Sequence, residues 1–229
     1  MSGGVAPIAL TNEKPSLRRR PGSFLSFNQL NALALIVVFS ASGMVGVEDF
    51  AFVLFSFFYM FFISKVAFPT LSSNPDPPVF ADHKRLLTVY VSVGALIGLF
   101  LPVIYILHGV LEGDKEGIKA AAPHVFLLAS QVFMEGVTFS GGFSLPVRVF
   151  VPVVYNSMRM FAILEWVKNE VMKENTEEHG SIRRLYVGRG LAIANMVFWG
   201  FNLFGFLLPF YLPRAFKRYY ESSHNNKDS

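Results

Sequence analysis

Between residues 118 and 139 four polar side chains, His124, Gln131, Glu135 and Thr138, punctuate an otherwise apolar run at successive offsets of 7, 4 and 3. In a helix those offsets return all four to one stripe. A second set follows in 145–167, where Arg148, Asn156 and Arg159 stand with eleven residues between arginines, hence on nearly the same face. A third pair, Asn195 and Asn202, lies seven apart within 186–212. The residue types specify the chemistry. A carboxylate or imidazole carries a proton or meets a cation, and a guanidinium meets an anion; carboxamides both donate and accept hydrogen bonds. One reading makes these side chains the lining of a path for a solute, an ion or a proton. The other makes Glu135 and an arginine a structural ion pair in which each relieves the other's burial. Glu135 also stands within a turn or two of the helix end that Ser140, Gly141 and Gly142 mark, where it would reach interfacial water. Asn195 and Asn202 read as formers of interhelical hydrogen bonds, each worth about 1 kcal/mol.

These side chains need a scaffold that makes them exceptional, and the rest of the chain supplies one. Residues 28–47, 86–111 and 190–213 contain no Asp, Glu, Lys or Arg. About 20 such residues in a helix cross a hydrocarbon core about 30 Å thick. Charged residues are 16% of the 229 and phenylalanines number 25, with a mean hydropathy of +0.44, a composition that fits lipid better than water. The spacing predicts an all-α polytopic transmembrane helix bundle with six spans, at 28–47, 50–64, 86–107, 118–139, 145–167 and 186–212. In the alternative there are five, and 145–167 lies along the interface with its arginines among headgroups. The spans form a transmembrane helical domain, 28–213, between a disordered basic tail, 1–27, and a basic, polar tail, 214–229, disordered after Tyr220.

The connections fix orientation. Gly46-Val47-Glu48-Asp49 is so short that the helices on either side are antiparallel neighbours. Lys14, Arg18, Arg19 and Arg20 precede the first span, Lys84 and Arg85 open the third, and Arg214, Lys217 and Arg218 follow the last. By the positive-inside rule these basic groups place both termini in the cytosol. The first apolar run is not followed by a small-residue cleavage pattern, which favours an uncleaved helix over a signal peptide; a transit peptide is the alternative. Gly94 and Gly98 make a small-xxx-small face for close packing within the bundle. Residues 112–117 read as a solvated turn, 165–184 as a solvated charged face, and Trp199 as lipid-facing or interfacial. Pro209 and Pro213 are expected to close the last helix.

Several classes are set aside. Intramembrane proteolysis needs paired aspartates, a Ser/His pair or a His-Glu-x-x-His helix, and none is present, so no catalytic residue is assigned and the chain does not read as an enzyme. His108 and His124 are too isolated to be metal ligands, no phosphate-binding glycine loop or other cofactor site is seen, and zero cysteines exclude thiolate sites and disulfides. The net charge of +4 reads as basic flanks on apolar spans, not as a nucleic-acid footprint. The lipid bilayer is the expected partner, with other proteins able to meet 165–184 and the tails.

Particular stretches carry a resemblance. LALIVVFSASGMV at 33–45, KVAFPTL at 65–71, DPPVF at 76–80, LEGDKEGIKA at 111–120, HVFLLASQVFMEGV at 124–137, RRLYVGR at 183–189 and NLFGFLLPFYLPR at 202–214 resemble a family of land-plant multi-pass membrane proteins of unknown function, over roughly residues 24–220. The resemblance implies a plant source and a membrane location but no reaction, ligand or catalytic residue. Two functions are therefore expected. One is a small-solute or ion transporter or channel; the other is a non-transporting membrane scaffold or trafficking factor.

Overall fold

A computed structural model describes residues 27–71, 84–140, 142–173 and 182–225. The regular elements are helices: α1 Phe27–Ala41, α2 Val47–Val66, α3 Lys84–Ala95, α4 Leu101–Glu112, α5 Lys115–Ser140, α6 Leu145–Met172, α7 Ile182–Gly200 and α8 Leu212–Asn225. Wider π turns, Leu96–Phe100 and Phe201–Tyr211, join α3 to α4 and α7 to α8, so each pair is one continuous rod. The tail 1–26 and the proline-rich connection 72–83 lie outside the described residues.

Among the described residues five helical rods are long and apolar enough to cross a membrane: Val47–Val66, Arg85–Glu112, Lys115–Ser140, Leu145–Met172 and Ile182–His224. The first apolar run falls short of the expected 20 residues. Helix α1 has 15 residues, about 22 Å at 1.5 Å each. It stops because Ser42 turns back, its Oγ donating to Phe39 O at 2.8 Å, and because Gly43 takes φ +67°, a left-handed conformation that ends a helix. A charge-free run is thus not one helix, since a Ser-Gly turn breaks it without any charge.

The bundle is built outward from α5 and α6. Of the apolar window in α5, 67% is buried, against 22% in α2. Ala121, Ala122, Val125, Phe126 and Leu127 of α5 pack with Tyr105 of α4, Trp166 of α6 and Ala192 of α7. Helix α6 is long and apolar enough to cross a membrane and carries the fully buried Tyr155, Asn156, Arg159, Ile163 and Trp166 on its inward face. Arg159, which the interfacial alternative put among headgroups, is held by partners inside the bundle. On the outside, Phe55, Phe58, Phe62, Phe100, Ile104, Leu107 and Phe204 are exposed, a density of large apolar side chains that water does not favour.

Two ends can be distinguished. At the tail end Thr70 Oγ1 donates to Gly142 O (3.1 Å), Ser144 Oγ to Phe68 O (2.7 Å) and Tyr219 Oη to Pro69 O (3.0 Å). Tyr219 ties α8 to Pro69 and the helix continues to Asn225, so Pro209 and Pro213 do not end the last rod, which runs on past Tyr220. At the opposite, hinge end lie the α1–α2 and α4–α5 turns, the C-terminus of α6 and the N-terminus of α7. Helix α1 runs along α5 between them: Gln29 sits against Gly136 and Phe39 packs with Ala120 and Ala121.

Candidate functional site

The polar stripe begins with a proline. Pro102 has no N–H to give to Gly98 O, and in the π turn Leu101 N–H goes to Leu96 O, leaving Ile97 O without its α-helical donor. Both stranded carbonyls are recaptured from other helices. His124 Nε2 donates to Gly98 O at 2.9 Å, and Asn195 Nδ2 donates to Ile97 O at 3.0 Å. His124 and Asn195 are fully buried, and the histidine ring lies between Trp166 and Trp199. Because Gly98 O only accepts, His124 must carry its proton on Nε2 there. Gly98 has a second use, since a Cβ on it would strike the Trp199 ring; with Gly94 against Phe198, the glycine face serves packing inside the bundle.

From there a chain of hydrogen bonds crosses α7, α6 and α5. Trp199 Nε1 donates to Asn195 Oδ1 (3.1 Å), and Asn156 Nδ2 to Trp199 O (3.2 Å). Arg159 Nη2 donates to Asn156 Oδ1 (2.9 Å), Arg159 Nη1 to Gln131 Oε1 (2.8 Å), and Gln131 Nε2 to Glu135 Oε1 (2.8 Å). The guanidinium lies 3.8 Å from the centre of the Trp199 ring, a cation–π contact in a desolvated place. Six of the eight singled-out residues therefore meet in one polar core: His124, Gln131, Glu135, Asn156, Arg159 and Asn195. Arg159 reaches Glu135 through the Gln131 carboxamide, and no direct Arg–Glu135 ion pair is among the described contacts.

The others stand apart. Arg148 is buried beside Phe139, 5.4 Å from its ring centre, and does not join the chain. Asn202 falls in the second π turn with its Oδ1 buried and without a hydrogen bond. Thr138 Oγ1 bonds its own helix at Glu135 O, 2.8 Å. Trp199, expected toward lipid, is 6% exposed, because Gly98 opens a slot for it.

A second polar cluster occupies the hinge end, where the sequence pattern suggested solvated charge. Asp114 caps α5 by accepting Gly117 N–H at Oδ1 (2.9 Å), and Arg184 Nε donates to its Oδ2 (2.7 Å). Lys173 Nζ lies 3.4 Å from both Asp114 and Glu170, and Tyr105 Oη donates to Glu170 Oε1 at 2.7 Å. Arg189 closes the C-terminus of α6 by donating to Glu170 O and Lys173 O. Burial pushes the Asp114 carboxyl up, but the Gly117 N–H, Arg184 and Lys173 outweigh it and hold it below the usual aspartate value. Within 112–117 the other four residues stay exposed, as a solvated turn requires, but Asp114 and Gly117 are buried in a latch with Glu170 and Arg184, which are buried too. Nothing local signals this, since the partners lie as many as 70 residues apart.

Beside the latch opens a cavity of about 1050 Å³. Its lining includes the charged Glu48, Asp49, Glu116, Lys119, Glu165 and Lys173 and the apolar Pro123, Met158 and Ala162. None of the eight singled-out residues lines it. No group of three or more His, Asp or Glu side chains suited to a metal ion occurs among the described residues.

Fold and site together define a helical bundle, with five rods able to cross a membrane, built round a buried polar core and carrying a cavity at one end. The chain belongs to the family DUF7733, a domain of unknown function, which it matches over residues 25–220. Neither a curated protein nor a solved structure matches the chain.

Proposed function

We propose that the chain is a multi-pass integral membrane protein that admits a small solute at the hinge end and moves it across the bilayer. The observation that carries this reading is the cavity of about 1050 Å³, at the upper end of the volume that holds a small ligand. Its lining includes Met158 to Asn169 of α6, eleven residues or about 16 Å along the helix. That length is roughly half the thickness of a hydrocarbon core. The polar core beyond it ties the helices together, and a solute moving further would have to part those bonds.

In this reading α1 joins the five long rods as a sixth crossing, because it runs beside α5 from Gln29 near Gly136 to Phe39 near Ala121. Both termini then share the tail end, flanked by Lys65, Arg85, Arg214, Lys217 and Arg218. The hinge end carries Lys115, Lys119, Lys168, Lys173, Arg183, Arg184 and Arg189, of which Lys173 and Arg184 are held by Asp114. With Lys14, Arg18, Arg19 and Arg20 added, the tail end has the larger number, which supports a cytosolic tail end. The scaffold alternative draws less support, since Glu170, Lys173 and Arg184 of its recruiting segment turn inward.

Single cysteines test both parts, in a chain with no native cysteine. An impermeant thiol reagent added to sealed, oriented vesicles is expected to label Ser16→Cys and Ser223→Cys from one face and Thr176→Cys from the other. A small neutral methanethiosulfonate is expected to modify Ala162→Cys in the cavity. A cavity cysteine that no reagent reaches would remove the solute reading, and termini on opposite faces would remove the sixth crossing.

A further inference from the structure

The cavity's charge is lopsided once its internal pairings are removed. Lys173 is engaged by Asp114 and Glu170, and Glu165 lies 3.6 Å from Lys168. That leaves Glu48, Asp49 and Glu116 against Lys119 in the lining. Asp49 differs from the other two. It is 7% exposed, it lines the cavity, and among the described residues its carboxylate has neither a hydrogen bond nor an ion pair. A buried carboxylate without a partner is costly, so one facing a cavity wants a positive occupant. The positive N-terminus of α2 favours negative charge at this position but lends Asp49 no side-chain cap.

The remainder of the lining limits what that occupant is. Met44, Ala120, Pro123, Met158, Phe161 and Ala162 supply apolar surface beside the acids. A bare metal ion has no use for such a wall and here finds no three-ligand group. A carboxylate beside an apolar wall instead matches a cation with an apolar body, and Phe161 offers an aromatic face to it.

Building on the solute reading above, we infer that this cavity binds an organic cation, an ammonium group on an apolar body, with Asp49 as the counter-ion for the charged head and Met158, Phe161 and Ala162 against the body. The proposal names Asp49 as a specificity-determining residue, a role distinct from that of the polar core.

The test uses full-length protein in vesicles, carrying Ala162→Cys, and reads the rate of modification by neutral methyl methanethiosulfonate. Benzyltrimethylammonium is expected to slow the modification in a saturable way, while benzyl alcohol and phenylacetate are not. Adding Asp49→Asn is expected to weaken protection by the cation about tenfold, the loss of one close charge pair. Glu165→Gln, whose carboxylate already has Lys168, is expected to leave it unchanged. An unaltered rate without ligand shows that the Asp49→Asn cavity is intact; should it change, Asp49→Glu, which keeps the charge, must retain protection. Protection by all three probes, by none of them, or by the cation equally in Asp49→Asn overturns the inference while the solute reading stands. Failure of any reagent to reach Ala162→Cys removes both.

Discussion

The polar core and the hinge-end latch hold similar side chains under different rules. In the core the one guanidinium meets the one carboxylate only through Gln131, and the chain runs on through the carboxamides Asn156 and Asn195. In the latch Asp114 touches Arg184 directly at 2.7 Å, with Lys173 and Glu170 alongside. Burial does not separate the two, since Glu170 and Arg184 of the latch are buried as Arg159 of the core is; what differs in the core is that the opposite charges are held apart. A carboxamide between them satisfies donor and acceptor while leaving Glu135 half-buried. The latch lies where α4, α5, α6 and α7 meet at the hinge end; there Asp114 also caps a helix and Arg184 also donates to Tyr105 O. Amides distribute charge in the middle, and ions pair directly at the end.

The strongest way to break that comparison is to remove one cation from each cluster. Arg184→Met leaves Asp114 with Lys173 and the Gly117 N–H alone and is expected to cost about 1.5–3 kcal/mol, whereas the pair Arg184→Met with Asp114→Leu recovers part of it. The matching cycle of Arg159→Met with Glu135→Gln should show a smaller coupling than the latch cycle, because the two meet only through Gln131, which both bond. Thermal unfolding in detergent measures both cycles. Equal coupling in core and latch would erase the distinction.

A smaller effect sharpens the role of His124. His124→Leu leaves Gly98 O buried without a donor, at an expected cost of about 1–3 kcal/mol. Pro102→Ala restores the N–H that Gly98 O lacks, so adding it to His124→Leu should reduce that cost. A penalty unchanged in the double variant would mean that His124 acts through its packing with Trp166 and Trp199 instead.

The smallest effect separates the latch by pH. The Asp114 carboxyl is lowered in the folded chain, so its contribution is complete above the ordinary unfolded value, 3.8, and is lost as pH falls through the folded one. Stability of the wild-type chain should therefore drop below about pH 4 by more than that of Asp114→Asn, measured in the same detergent. Parallel acid curves for the two would contradict the assignment.

The chain shows unequally what it will build. Rods of apolar residues are legible because lipid demands length and composition, and the offsets joining His124, Gln131 and Glu135 are legible because a helix repeats. The short α1 was hidden in a Ser42-Gly43 turn that carries no charge. Arg159 and Asn156 could be marked as polar residues in an apolar helix, yet their linkage through Gln131 depends on how α5 and α6 pack. The latch was misread for a further reason: Asp114, Glu170, Lys173 and Arg184 belong to connections that look soluble, and only tertiary contact buries them. Asp49 was counted as part of an acidic hinge, since its isolation inside a cavity is a property of three helices at once.

The π turn at Leu96–Phe100 also fixes how this rod tolerates changes in length. A π turn holds one residue more than the α-helix it interrupts, which rotates everything beyond it by about 100° relative to an unbroken helix. Gly94 before the turn faces Phe198, and Tyr105 after it reaches Glu170, both through that offset. Deleting a single residue there would give the backbone a more regular ladder while aiming Tyr105 away from the latch. Apart from Gly98, which Trp199 holds to glycine, this stretch should therefore accept substitutions more readily than any change in its number of residues.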